Sequence, residues 1–188
     1  MVAGPLFDPL SLKGLHIPSA ASLKATIEDR KVMGKYVGYT HFPDDRDVIH
    51  LGFTKKMWLK RVARKIVAEF PGGFPSDHHI YASLLKIPPG AAEQEVHEDG
   101  DDGKGNLETT RFWTFFIPLT THRMQGTTAF VVNGRTVLPP RGCSNYMFDS
   151  TVLHYGQANR SNQERYVLML NVGWKDSFWQ HFDTPVSV

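Results

Sequence analysis

The period of the hydrophobic pattern changes about 70 residues into the chain. Between Thr54 and Phe70 the residues Trp58, Leu59, Val62, Ala63, Ile66 and Phe70 recur every three or four positions, which predicts an amphipathic helix. Thr54 suits its N-cap, and Pro71-Gly72-Gly73 stops it. A shorter helix is expected over Ser19–Lys31, capped by Ser19 or Ser22. Residues 1–20, with Pro5, Pro9 and Pro18, predict an irregular arm. Two short β-like runs, Lys35–Thr40 and Val48–Phe53, flank a turn at Pro43-Asp44-Asp45.

After Gly73 the pattern becomes alternating and stays so. Strands are expected at His79–Ile87, Glu93–Glu98, Phe112–Leu119, Thr127–Val132, Thr136–Leu138, Ser144–Asp149, Thr151–His154 and Arg165–Trp174. Turns at Pro88-Pro89-Gly90, Gly100–Asn106, Asn133-Gly134 and Pro139–Gly142 separate them, and Asn133-Gly134 is a two-residue hairpin signal. Many short strands after a helical N-terminal third predict a mostly β fold with N-terminal helices, a sandwich or double-sheet jelly roll. One domain over residues 1–188 is expected: arm and supporting helices at 1–75, β core at 76–175, tail at 176–188.

Composition narrows the function classes. The chain has 188 residues, and 21 basic against 19 acidic residues leave a net charge of +2, so no nucleic-acid or membrane partner is expected. The helix 54–70 does carry a basic face of Lys55, Lys56, Lys60, Arg61, Arg64 and Lys65; a solvated face above a sheet-packing stripe is the simpler account. The single cysteine, Cys143, excludes an internal disulfide and a cysteine-rich zinc site, and suits a reducing, intracellular and cytoplasmic setting. No run of 18 apolar residues predicts a membrane helix, and Met1–Asp8 lacks a signal-peptide pattern.

The candidate chemistry lies in the β region. His97 and Asp99 are two residues apart on an extended segment, so their side chains point the same way. His154 follows Asp99 by 55 residues and Arg165 follows His154 by 11. Two imidazoles and a carboxylate on one face of a metal leave the other face open, as in the facial triad of non-haem Fe(II) oxygenases. The same donors suit Mn(II), Co(II) or Zn(II), so a three-ligand zinc hydrolase competes. Arg165 favours iron with a keto-acid co-substrate, because a guanidinium holds a carboxylate in a bidentate fork. An ion pair of Arg165 with Glu164 or Glu95 is the structural alternative. The other histidines, His16, His41, His50, His78, His79, His122 and His181, read as structural or surface residues.

From about Ile80 to Trp174 the chain resembles the Fe(II)/2-oxoglutarate-dependent dioxygenases, in particular their phytanoyl-CoA dioxygenase-like branch. The resemblance rests on Tyr81–Ala91 followed by Val96–Gly100, on Gln125–Val132, and on the closing block of Arg141-Gly142, Met147–Ser161 and Arg165. It implies a double-stranded β-helix, with Fe(II) on His97, Asp99 and His154 as catalytic metal ligands. It implies 2-oxoglutarate and O2 as co-substrates, with Arg165 on the 5-carboxylate. Trp113 is the expected counterpart of a residue lining the co-substrate pocket, with Thr114 and Phe115 as competitors and plain core packing as the alternative for Trp113; Tyr81 and Ser83 are expected to touch the co-substrate. Asn159 is expected to order the turn before Arg165. Retention of Asp99 implies hydroxylation, since related halogenases lose this carboxylate. Two departures matter. Asn133-Gly134-Arg135-Thr136 replaces the family's Pro-Gly-Ser-His, so no substrate is implied beyond a small or medium-sized organic molecule. Val167 replaces a serine or threonine two residues after the arginine, so another partner for the 5-carboxylate is needed, with Thr114 or Tyr81 expected. A non-catalytic jelly-roll binding protein and a metal-dependent cupin-type enzyme without 2-oxoglutarate remain as competing functions. The glycine-rich loop Gly100–Asn106 is expected either to gate the site or to be an ordinary solvent turn. Phe178, Trp179 and Phe182 are expected either to cap the pocket or to pack the tail.

Overall fold

A computed structural model describes residues 4–24, 39–41, 46–51, 57–99, 112–120 and 123–174. The strands are β1 (Leu6–Phe7), β2 (Tyr39–His41), β3 (Asp47–His50), β4 (His78–Ile87), β5 (Trp113–Pro118), β6 (Thr128–Val132), β7 (Arg135–Val137), β8 (Tyr146–Asp149), β9 (His154–Gly156) and β10 (Arg165–Trp174), with helix α1 (Met57–Glu69) between β3 and β4. The seven-stranded major sheet runs β1-β8-β5-β10-β4-β3-β2, and the three-stranded minor sheet runs β7-β6-β9. All pairings are antiparallel. His97 extends the minor sheet through a bridge to His154. From β4 onward the chain passes back and forth between the two sheets, through His97, β5, the β6–β7 hairpin, β8, β9 and β10, the winding of a double-stranded β-helix.

Strand β10 organises the major sheet. It pairs with β4 along ten residues, Arg165↔Ile87 to Trp174↔His78, and with β5 on its other side. Partners across a ladder share a face, so alternation sorts these residues into two layers. Ile80, Ala82 and Leu84 of β4, Phe115 and Ile117 of β5 and Leu168, Leu170 and Val172 of β10 form one cluster with Leu59, Val62, Ala63 and Ile66 of α1. Phe116, Tyr146, Phe148 and Val167 turn the other way and meet Phe130 of the minor sheet, with Leu85 and Met169 packed against them. Strands with two buried faces need apolar residues at nearly every position, which is what β5 and β10 carry.

The helix matches its predicted stripe, and its other face is solvated: Arg61 and Arg64 are exposed and Lys65 pairs with Glu69 one turn on. The expected helix at 19–31 is seen as helical residues 20–24. Its remainder, the run 35–38, the turn at 43–45, the gating loop 100–106 and the tail 175–188 lie outside the described residues. No described helix is long and apolar enough to cross a membrane.

Two expected strands differ. Thr151–His154 was to be a strand, but β9 begins only at His154. The Asp149 carboxylate accepts from Thr151 N at 3.0 Å and Thr151 Oγ1 at 2.7 Å, and Val152 N donates to Asp149 O at 2.9 Å. This side-chain turn overrides the β preference of Thr151 and Val152. Glu93–Glu98 is irregular apart from the bridge at His97.

Ile66 is fully buried between α1 and the sheet. Ile66→Ala should therefore cost about 2–5 kcal/mol, read as a lower urea midpoint with unchanged slope. Arg61→Ala should stay within about 0.5 kcal/mol, as expected for a solvated face.

Candidate functional site

The irregularity at 93–98 builds the site. His97 and His154 exchange both backbone hydrogen bonds at 2.9 Å. In a regular ladder Glu95 would then face Gly156, but Gln94 N donates to Gly156 O instead, at 3.0 Å. One extra residue is accommodated, a β-bulge. Gln94 Oε1 accepts from Gly156 N at 2.8 Å, in place of the missing backbone acceptor. The released Glu95 carbonyl takes the His97 ring, Nδ1 to O at 2.7 Å. His154 Nδ1 is held likewise by Val152 O at 2.9 Å, a carbonyl made available by the turn before β9.

A carbonyl only accepts, so in both neutral imidazoles Nδ1 carries the proton and Nε2 offers its lone pair. Both Nε2 atoms face Asp99: His97 Nε2 is 3.9 Å from Oδ1 and His154 Nε2 is 3.4 Å from Oδ2. One donor atom from each residue lies within 4.8 Å of the others. Donors on one ion at about 2.1 Å lie roughly 3 Å apart, so slight side-chain rotation suffices to ligate. Asp99 is anchored by its N–H to Ser150 O at 2.9 Å. Burial disfavours the His154 imidazolium, but Asp99 and the Val152 carbonyl outweigh it and hold its pKa above the ordinary value. His154 is 5% exposed in its side chain, against 37% for His97 and 34% for Asp99, so the cluster opens on the latter side. Phe148 and Phe130 wall it from within, with ring centroids 4.7 and 6.4 Å from His154.

Arg165 lies inside the barrel at the start of β10, only 4% exposed. Its Nη1 donates to Gln125 O at 3.0 Å, and its Nε has no hydrogen-bond partner among the described residues. Burial pushes its pKa down to about 10; the Tyr146 phenol opposes this and the Arg46 guanidinium adds to it. It therefore stays charged at neutral pH. Among the described residues neither Glu164 nor Glu95 pairs with it: Glu164 binds Lys24 and Lys86, and Glu95 is exposed. Gly126 lets the guanidinium approach. At φ 67°, a β-carbon there would meet Arg165 Nη1 at 3.3 Å and Ala158 O at 2.6 Å. The turn before Arg165 is tied by Asn159, whose Nδ2 donates to Pro88 O and Gln163 O and whose Oδ1 accepts from Ser161 Oγ.

Tyr81 and Ser83 pair with Asn171 and Met169 and so share the inner face with Arg165. Trp113 does not. Its ring packs on Phe70 and His78, centroids 5.5 Å from each, on the helix side of the sheet. Phe115 faces the same way, and Thr114 is the inner residue of the three, donating to Asn171 Oδ1 at 3.0 Å. Trp113 is thus corrected to a core residue: a strand apolar on both faces gives no parity to read. Three inner polar groups were missed by sequence reasoning. Tyr146 OH donates to Thr128 Oγ1 at 3.0 Å, close to Arg165, and Arg46 is 2% exposed. The Tyr146 phenol lies near enough to Arg165 to favour its charged form. An arginine beside a turn gives no sign of burial in sequence.

With this geometry in place, solved structures give a consistent match. The double-stranded β-helix seen here is also the fold of the structures it superposes on. A prolyl-4-hydroxylase from Pseudomonas putida superposes with TM-score 0.55 at 14% identity, over 87% of this chain and 91% of that one. AviO1 from Streptomyces viridochromogenes Tue57 gives 0.58 at 18%, over 93% and 91%. The non-haem α-ketoglutarate-dependent epimerase SnoN from nogalamycin biosynthesis gives 0.57 at 12%, over 82% and 74%. No protein-family model and no curated protein matches the sequence.

If the three residues hold one ion, Asp99→Ala should abolish the calorimetric signal of Mn(II) binding under anaerobic conditions. Trp113→Phe should leave that affinity unchanged, since its ring packs on the other side of the sheet.

Proposed function

We propose that the protein is an Fe(II)- and 2-oxoglutarate-dependent oxygenase that hydroxylates a small or medium-sized organic substrate. The observation that carries this is the pairing of two features inside one barrel: a His97, Asp99 and His154 donor cluster, and a buried Arg165 whose Nε awaits an acceptor. A zinc hydrolase needs the first and has no use for the second. A binding module without chemistry needs neither histidine to be oriented by a carbonyl. The likeness to a prolyl-4-hydroxylase and to an α-ketoglutarate-dependent epimerase supports the reading at the level of fold.

The donor set fits Fe(II): two imidazole Nε2 atoms and one carboxylate, fixed from behind by carbonyls and a backbone N–H. When bound, iron with 2-oxoglutarate and O2 supplies the oxidising power for C–H hydroxylation, with succinate and CO2 as by-products. The chain supplies the rest. Arg165 holds the distal carboxylate, with the Thr128 and Tyr146 hydroxyls beside it. Burial keeps Tyr146 above the usual tyrosine pKa, against the pull of the Thr128 hydroxyl and Arg165, so it stays protonated and able to donate. Tyr81, Ser83 and Thr114 flank the co-substrate on the major sheet. Phe116, Phe130, Phe148 and Met169 exclude water from between. Substrate reaches the metal from the exposed side of His97 and Asp99.

The test is an anaerobic titration. Fe(II) followed by 2-oxoglutarate should produce the weak visible absorption of a chelated keto acid, requiring both additions. Arg165→Met should weaken 2-oxoglutarate binding on the order of 30-fold or more while leaving iron affinity nearly intact. Aerobic turnover should then release succinate. Iron bound tightly with no such absorption would replace this reading with a keto-acid-independent metalloenzyme. No metal binding at all would leave a binding protein.

A further inference from the structure

Arg46 has no role in the site as described so far, yet it is among the largest fully buried side chains. It directly precedes β3, whose Asp47 pairs with Lys86. The guanidinium reaches the minor sheet: Nη2 donates to Ala92 O at 2.8 Å, and a β-carbon at Gly156 would come within 3.5 Å of it. Gly156 pairs with Thr128 in the β6–β9 ladder, and Thr128 Oγ1 accepts from Tyr146 OH. Among the described residues, Tyr146 and Arg46 both act on the charge of Arg165. Arg46 stands one residue before the Asp47↔Lys86 pair and so beside Ile87, whose other ladder partner is Arg165, and both arginines are buried. Gly156 lies two residues beyond His154 on β9, roughly 7 Å along the strand, a span that a five-carbon diacid bridges.

Resting on the functional reading above, we infer that Arg46 is a second cation of the distal-carboxylate pocket, a specificity-determining residue that selects a dicarboxylic over a monocarboxylic keto acid. Two like charges buried near one another repel, and an anion placed between them relieves that repulsion. A carboxylate has two oxygens and about four acceptor sites, enough for both guanidinium groups and a hydroxyl. A ligand carrying only the 1-carboxylate and 2-oxo group offers neither guanidinium an acceptor at its distal end. Gly156 belongs to this arrangement, because any side chain there would collide with Gln94 Oε1 at 2.6 Å and crowd Arg46.

The experiment compares two ligands on the Mn(II)-loaded protein by calorimetry: 2-oxoglutarate, and 2-oxopentanoate, which has the same chelating end and chain length but no distal carboxylate. Arg46→Gln should weaken 2-oxoglutarate on the order of 30-fold and leave 2-oxopentanoate within about 2-fold. Arg46→Lys keeps charge and stem but not the fork, so it should recover part of the loss. If the Gln variant does not fold, the Lys variant carries the test, with a selective loss of 2-oxoglutarate affinity expected. Equal weakening of both ligands would overturn the inference and reduce Arg46 to a brace on Ala92. Unchanged 2-oxoglutarate binding in a folded variant would also overturn it, while Arg165-dependent binding in the parent would keep the oxygenase reading alive. A parent protein that binds neither keto acid would end both.

Discussion

The rest of the structure depends on β10 being buried on both faces. One face carries Leu168, Leu170 and Val172 into the layer under α1, and the other carries Arg165, Val167, Met169 and Asn171 into the barrel. Because β4 and β5 are both registered on it, a slip of one residue would exchange the two sets and place a guanidinium under the helix. The hydrophobic cost of that exchange is what fixes Arg165 in the pocket. Packing on the helix side thus specifies chemistry on the barrel side, although no residue of α1 touches the site.

The minor sheet works by local irregularity rather than burial. Two backbone bonds lock His97 to His154, and the extra residue at 94–97 then frees one carbonyl that a regular strand would have consumed. The turn at Asp149–Val152 frees the other. In each case a backbone oxygen leaves the ladder and fixes the tautomer of a histidine. The bulge is part of the site for that reason, and the glutamine that repairs it, Gln94, is positioned by the need of Gly156 N for an acceptor.

These physical causes explain what was legible beforehand. The helix, the hairpin at Asn133-Gly134 and the long strands announced themselves through period and turn chemistry. His97, Asp99 and His154, whose donor atoms the fold brings within 4.8 Å of one another, were legible as donors because a His-x-Asp pair on an extended segment shares a face. The phenol near Arg165 was not legible. Val167, standing where a hydroxyl was expected, packs with Phe116, Phe130 and Phe148, while the Tyr146 phenol of β8 lies near Arg165. Finding Tyr146 or Arg46 requires knowing which strands meet across the barrel, information that no single segment carries. Trp113 failed for a related reason. In Trp113-Thr114-Phe115-Phe116-Ile117 both faces are apolar, so alternation does not say which is inside.

A pocket of this kind trades stability for binding. Arg165 is held by a neutral carbonyl and faces a phenol, and among the described residues no carboxylate pairs with it. Apolar residues in its place would cost the empty protein less, since a buried charge recovers its desolvation only from well-placed partners. The deficit is local, because Phe116, Phe130 and Phe148 pack on the barrel side of the sheet and leave an apolar surrounding there. A ligand that brings the missing negative charge recovers the desolvation already spent in folding, and that recovery appears as affinity. The β10 register makes the trade possible, because the large apolar layer beneath α1 holds the cation where isolated strands would expel it to solvent.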